Sequence, residues 1–290
     1  MGALIAMTGA GGFLGRHLTA ALGARGFEVE NIPRETRRSA EAMRAWLASR
    51  RPTALVHTAG IVDVRYCQAH PLEAFQAHVM DTAAMLEAIR HERPELPLAY
   101  IATDKSFGEQ QDCGLDTPYR PVYPYDASKA CEDLLVESYR ATYGLKLSLL
   151  RFPNFYGEGD VHAERLIPSV CLAALGGHEL TIRTRLDGSW RQYIYVKDAA
   201  DIVRRILVDS LEGRPVAGRS HFGPPAVKSV GDVIADVEAI LGTRIRVQVL
   251  NQPGESSTIT LKDENALGYR YTDWLTGLAA TVESYRGASA

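Results

Sequence analysis

The sequence predicts an α/β chain: a doubly wound parallel sheet followed by a smaller C-terminal lobe. Three observations predict it. Strand-length apolar runs alternate with helical patterns from the first residues onward. The first run ends directly in a glycine-rich turn that opens a helix. Beyond Pro153 this regularity gives way to short apolar pieces among Gly, Pro and charged residues.

The elements follow in order. Ala3–Thr8 reads as a strand, and Gly12–Ala24 as a helix with Phe13, Leu14, Leu18, Ala21 and Leu22 on one face. Glu28–Ile32 is a second strand. Ala40–Arg50 is a short helix that Ser39 is placed to cap. Ala54–Thr58 and Leu98–Ala102 are further buried strands. The helix between them, about Pro71 to His91, starts on a proline whose missing N–H costs nothing there. A long helix, Tyr125–Tyr143, leads to a strand over Leu145–Arg151. Tyr193–Leu211 again reads as strand then helix. Val230–Leu241, Arg244–Val249 and Trp274–Arg286 give the lobe a helix, a strand and a closing helix. There is no internal repeat and no low-complexity linker.

Composition narrows the function classes. At 290 residues, 46% hydrophobic and 23% charged, the chain can bury a large core and is neither disordered nor membrane-spanning in character. Its start lacks a basic n-region, so a secretory leader is not expected. A net charge of −3 argues against a general nucleic-acid binder. Cys67, Cys113, Cys131 and Cys171 form no C-x-x-C pair, and no histidine cluster stands beside them, so no metal site is expected. Four reduced thiols in a cytoplasmic protein is the expectation.

The glycine turn reads Thr8-Gly9-Ala10-Gly11-Gly12-Phe13-Leu14-Gly15. Glycines 9, 12 and 15 permit a tight turn and close backbone approach, so a pyrophosphate can sit on the helix N-terminus. That is the Rossmann arrangement for a dinucleotide. The predicted division is a Rossmann domain over 1–152, with 190–222 returning to it, and a substrate-binding lobe over 153–290. The acid that usually closes the second strand is missing, because that strand runs into Asn31-Ile32-Pro33-Arg34, with Arg37 and Arg38 beyond and Glu35 slightly late. Arginines there suit a 2′-phosphate and hence NADP; a solvated basic loop is equally compatible.

Tyr125-Asp126-Ala127-Ser128-Lys129 places a phenol and an ammonium on one helix face. A tyrosine near pKa ~10 is a poor base alone, and a lysine charge beside an oxidised nicotinamide would stabilise its phenolate. Strand Leu98–Ala102 ends in Thr103-Asp104-Lys105, at the carboxyl edge where open parallel sheets bind ligands. Thr103 can hydrogen-bond a substrate hydroxyl. Asp104 and Lys105 add an acid and a base that simple alcohol oxidation does not require, or else form a loop ion pair.

With these motifs the sequence resembles the extended short-chain dehydrogenase/reductase superfamily of nucleotide-sugar epimerases and dehydratases. The likeness covers essentially the whole chain. It includes His57-Thr58-Ala59-Gly60 after the fourth-strand position, the run Arg151 to Gly157, and Arg191 to Asp198. Thr103-Asp104-Lys105 and the stretch Asn154 to Pro168 are most similar to CDP-glucose 4,6-dehydratase and related 4,6-dehydratases. The short region between Asn31 and Ala54 is more like the dTDP-4-dehydrorhamnose reductases.

The resemblance implies a cofactor site of Gly9, Gly12, Phe13, Leu14, Gly15, Arg34, Thr58, Ala59, Gly60, Tyr125, Lys129 and Pro153. Asn154 and Arg191, with Arg165 as a weaker candidate, would bind the substrate diphosphate. Thr103, Asp104, Lys105, Tyr125 and Lys129 would be catalytic. It implies a sugar-nucleotide 4,6-dehydratase with bound NAD, in which Tyr125 and Thr103 act at the C4 hydroxyl, Lys105 at C5 and Asp104 at the C6 leaving group. The runner-up is an NADPH-dependent 4-keto sugar-nucleotide reductase, followed by an epimerase and a non-catalytic cofactor sensor. His78 stands where relatives often carry asparagine, and Asp81 where they carry a small residue. The replacement at His78 departs from the relatives' proton relay, and His78 itself reads as a satisfied helix histidine packed near the core. A homodimer is expected, paired through Ala83, Met85, Leu86 and Ile89 with Leu134, Leu135 and Tyr139; packing onto the chain's own sheet is the alternative for these residues.

Overall fold

A computed structural model describes residues 2–250 and 258–288. Residues 251–257 and 289–290 of the expected C-terminal lobe lie outside the described residues. The chain runs β1 (Leu4–Thr8), α1 (Phe13–Gly23), β2 (Glu28–Asn31), α2 (Arg34–Arg37), α3 (Ala40–Arg50), β3 (Ala54–His57), α4 (Val64–Ala69), α5 (Pro71–Phe75), a π-helical turn (Gln76–Met80) and α6 (Asp81–Glu92). β4 (Leu98–Thr103) follows, then a 3₁₀ turn (Asp104–Phe107), α7 (Pro124–Tyr143), β5 (Leu147–Phe152), β6 (Asn154–Tyr156), α8 (Leu166–Gly176) and β7 (Leu180–Ile182). The remaining elements are β8 (Trp190–Tyr195), α9 (Val196–Leu211), β9 (Arg219–His221), β10 (Val227–Ser229), α10 (Val230–Leu241), β11 (Val247–Val249) and α11 (Trp274–Ala288).

The main sheet is six-stranded and parallel, in the order β2-β1-β3-β4-β5-β9. Successive β1 residues serve opposite faces, as a pleated strand must. Ile5 and Met7 join Leu18 and Leu22 of α1 and Val203 and Ile206 of α9; Ala6 joins Met43 and Leu47 of α3, Leu86 of α6 and Val136 of α7. Helices therefore cover both faces, which is why these strands read as continuous apolar runs. The order reverses between β1 and β3, so the glycine turn and Thr58 flank the crevice where such sheets bind ligands.

Several elements differ from the sequence expectation. His57–Gly60 follows β3 and not a fourth strand, because the stretch after β2 folds into α2 and α3. The helix expected over Pro71–His91 runs helical from 71 to 92 and contains a π turn over Gln76–Met80, where His78 is buried. β8 pairs with β6 and β10 in a separate three-stranded sheet, while Ile194 of β8, helix α9 and Phe222 just after β9 pack in the core of the main sheet. Met85, Leu86 and Ile89 are core residues, and Leu135 and Tyr139 pack partly against the same core. Of the helix residues expected at a dimer interface, Leu134 is exposed.

Candidate active site

The glycine turn is closed by its own packing. A Cβ on Gly15 would lie 2.1 Å from the Gly9 carbonyl oxygen, and one on Gly9, where φ is +77°, 2.7 Å from Thr58 Oγ1. Around Gly11 there is open space, and Gly12 caps the start of α1 without a side-chain hydrogen bond. Its first N–H groups, those of Phe13, Leu14 and Gly15, are thus presented by backbone alone, as a pyrophosphate requires. The Leu14 side chain is core, so its contribution is the N–H. The Asn31 Oδ1 accepts from Ala10 N at 3.0 Å and braces the turn. Thr58 donates to the Thr8 carbonyl at 2.8 Å and lies beside Ala59 and Gly60 at the β3 end. These residues fit a dinucleotide.

At the ribose end, Arg34 stays exposed on α2. Arg38 pairs with Asp81 at 3.4 Å, and the buried Arg37 feels the same carboxylate. Asp81 also accepts from Gln76 Nε2 at 3.0 Å. The unusual acid in α6 is therefore the counter-ion of the arginines that follow β2, a pairing across 43–44 residues that the sequence did not disclose.

The proposed acid–base groups lie at the C-terminal edge of β4 and the start of α7. Thr103 Oγ1 donates to Asp104 Oδ1 at 3.1 Å and accepts from Lys105 N at 3.3 Å, which winds the 3₁₀ turn. Asp104 is 2% exposed, and its Oδ2 is buried with no hydrogen-bond partner. Burial pushes its carboxyl up, against the pull of Lys105. The turn is anchored from below: buried Arg151 donates to the Thr103 carbonyl and, at 2.8 Å, to Asp133 Oδ2, which also accepts from Ser106 at 2.7 Å. Asp133 and Ser106 were missed in sequence reasoning.

Tyr125 is buried, and burial, then Asp104 and Asp126, push its phenol upward. Asp126 was also missed; burial holds its carboxyl up at about 6 in spite of Lys105. His78 Nδ1 lies 2.8 Å from Ser128 Oγ, and Nε2 lies 3.0 Å from Ile61 N. Nε2 lies equally close, at 3.0 Å, to the Ile61 carbonyl oxygen, and Ser128 also donates to the Tyr125 carbonyl, so both ring nitrogens of His78 are engaged by the protein. Lys129 Nζ binds Glu132 and lies 3.4 Å from the Tyr100 hydroxyl.

The expected diphosphate ligands are placed differently from one another. Arg191 lies beside the Tyr193 hydroxyl on β8, and its Nε is buried with no partner among the described residues. Asn154, just past the buried Pro153, donates to the Gln192 carbonyl at 3.1 Å on the neighbouring strand. Arg165 is committed to Asp160 at 3.1 Å. Among the described residues, no group of three or more His, Cys, Asp or Glu is placed to hold a metal.

The family described as NAD dependent epimerase/dehydratase matches residues 5–216. Among curated relatives, the dTDP-glucose 4,6-dehydratase of Mycolicibacterium smegmatis is 30% identical over 251 residues, 80% of this chain and 72% of that protein. A protein of the same name from Xanthomonas campestris is 30% identical over 78% of this chain and 65% of its own length. Among solved structures, the UDP-glucose 4-epimerase of Thermus thermophilus in complex with NAD superposes with a TM-score of 0.84 at 26% identity, covering 98% of this chain and 99% of that one. DesIV, the dTDP-glucose 4,6-dehydratase of Streptomyces venezuelae with NAD bound, gives 0.83 at 25% identity, with 98% and 97% covered. The chain belongs to the NAD dependent epimerase/dehydratase family of enzymes.

Proposed function

We propose that this enzyme is a cytoplasmic, homodimeric nucleotide-sugar 4,6-dehydratase that keeps one NAD bound through the cycle. The observation that carries the reading is Asp104. It is a buried carboxyl with one oxygen unpartnered, beside Lys105 and one residue past Thr103. Neither a reductase nor an epimerase needs such an acid. NAD suits the ribose end, because Arg38 is already paired with Asp81 and Arg37 is buried near the same carboxylate.

When bound, the nicotinamide supplies acceptance of the C4 hydride and its return at C6. Tyr125, aided by Thr103, takes the C4 hydroxyl proton, and the resulting ketone acidifies the C5 proton. Lys105, once its ammonium has released a proton, takes the C5 proton, while Asp104, whose carboxyl burial pushes up, gives its proton to the C6 hydroxyl, which departs as water. Lys129 holds the cofactor ribose. Arg191 turns its unpartnered Nε to the diphosphate, with Asn154 beside it.

The test is mass spectrometry after incubation with a panel of nucleoside-diphosphate hexoses. Loss of one water without added cofactor is expected. A gain of two hydrogens with NADPH would instead mean a 4-keto reductase, and product isomers of unchanged mass an epimerase.

A further inference from the structure

Glu132 lies one turn beyond Lys129 on α7, is fully buried and receives the Lys129 ammonium directly. The same carboxylate accepts from the Thr82 hydroxyl at 2.8 Å and faces Nε2 of His57 at 3.6 Å. Thr8 Oγ1 accepts the N–H groups of Thr58 and Ala59, both at 3.2 Å. With both lone pairs used, its proton goes to His57 Nδ1 at 2.8 Å, and the imidazole N–H is left on Nε2, toward Glu132. Two elements besides α7 therefore turn donors toward one anion: α6 through the Thr82 hydroxyl and β3 through the His57 ring. Burial pushes the Glu132 carboxyl up, but Lys129 and His57 outweigh it and hold it well below the usual carboxylate range.

The groups facing Tyr125 are acidic or neutral. Asp104 reaches it from the turn after β4, Cys67 from α4, and Asp126 and Glu132 from its own helix. His78 meets its ring edge, uncharged at neutral pH. Lys129 is the cation expected to offset these, and its charge is already matched.

We propose that Glu132 is a positioning residue, a buried counter-carboxylate that holds Lys129 and balances its charge, so that Tyr125 keeps its proton until the cationic oxidised nicotinamide enters the site. This rests on the reading of Tyr125 and Lys129 as the acid–base pair. Tyr125 ionisation is then linked to cofactor binding and not supplied by Lys129 alone.

The test is an ultraviolet difference titration of Tyr125, with Tyr125→Phe as the blank, run with and without NAD and set beside the pH profile of kcat. In the wild type, phenolate should stay absent below about pH 9 without NAD and appear at least one unit lower with it. Glu132→Gln keeps the shape and the Thr82 contact but removes the charge. It should move both the cofactor-free titration and the kcat profile toward acid by about one unit. A Glu132→Gln profile identical to wild type, with only the melting temperature changed, would overturn the proposal. So would wild-type phenolate at pH 7 without NAD, a reading that needs no folded variant at position 132. Full turnover in Tyr125→Phe would sink the functional reading as well, whereas an inactive Tyr125→Phe beside an unshifted Glu132→Gln sinks the proposal alone.

Discussion

Tyr125 and His78 meet edge to face, ring centroids 5.7 Å apart at 86°, and Ser128 joins them from behind by hydrogen-bonding both the His78 ring and the Tyr125 carbonyl. Burial, then the Lys129 charge, pushes the imidazole down to about 4. His78 is therefore a neutral strut across the range where an ordinary histidine titrates.

His78→Ala should leave the Ile61 backbone and the Ser128 hydroxyl short of a partner, at a cost of roughly 1–3 kcal/mol in urea unfolding. The pH dependence has a definite sign. The folded-state pKa lies below the unfolded value near ~6.5, so the unfolded chain binds the proton first and stability falls as pH drops from about 6.5 through 4. The variant should lose less stability than wild type over that interval. An equal loss in both would show that His78 is not the group responsible.

Asp126 carries the opposite sign. Burial raises its carboxyl to about 6, so the folded state holds the proton more tightly than the unfolded chain does. Stability is lost as pH rises between roughly 4 and 6 and stays lost above that. Asp126→Asn should gain up to roughly 3 kcal/mol at pH 7 and almost nothing at pH 4. Denaturant midpoints at the two pH values measure this, and a gain equal at both would rule out the charge as its source.

What the sequence made legible was local. The turn from Gly9 to Gly15 and the spacing of Tyr125 and Lys129 each lie within one short segment, where backbone chemistry dictates the outcome. The partners of these residues were not legible, because the fold supplies them from far away in the chain. Glu132 looks like an ordinary helix acid until Thr82 and His57 arrive beside it, and Asp81 like an odd substitution until Arg37 and Arg38 do. Three-residue strands such as β6 and β9 carry too little periodicity to be read at all. The π turn after Phe75 accompanies a buried His78 whose partners, Ile61 and Ser128, come from other elements.

Exposed apolar side chains gather on the helices before and around the tyrosine: Leu72 on α5 at 86%, Met80 on the π turn at 56% and Leu134 on α7 at 60%. A two-fold mate would cover them. Light scattering at micromolar concentration should give a dimer mass for wild type and a monomer for Leu134→Glu, with the fold intact by circular dichroism. A wild-type monomer removes the dimer from the proposed function.

Asp104 and Lys105 separate dehydration from its rivals. Neither is needed to oxidise C4, which Thr103 and Tyr125 can serve, but both are needed to expel water between C5 and C6. Asp104→Asn keeps the volume and the contact with Thr103 while losing the carboxyl proton. Lys105→Met keeps the length and cannot accept the C5 proton. Both variants should bind a nucleoside-diphosphate hexose, complete the first oxidation and stall, so that reduced cofactor absorbance builds up on the enzyme and persists. Wild type should show little lasting absorbance, because its turnover restores the cofactor. Burial favours Asp104 as the acid, because its carboxyl releases a proton less readily than an exposed aspartate does. A 4-keto reductase predicts another pattern, with both variants keeping most of their activity on a supplied ketone. Product mass read beside bound-cofactor absorbance distinguishes the two. If both variants dehydrate at the wild-type rate, the buried carboxyl at Asp104 is not the acid, and the reductase becomes the better reading of the site.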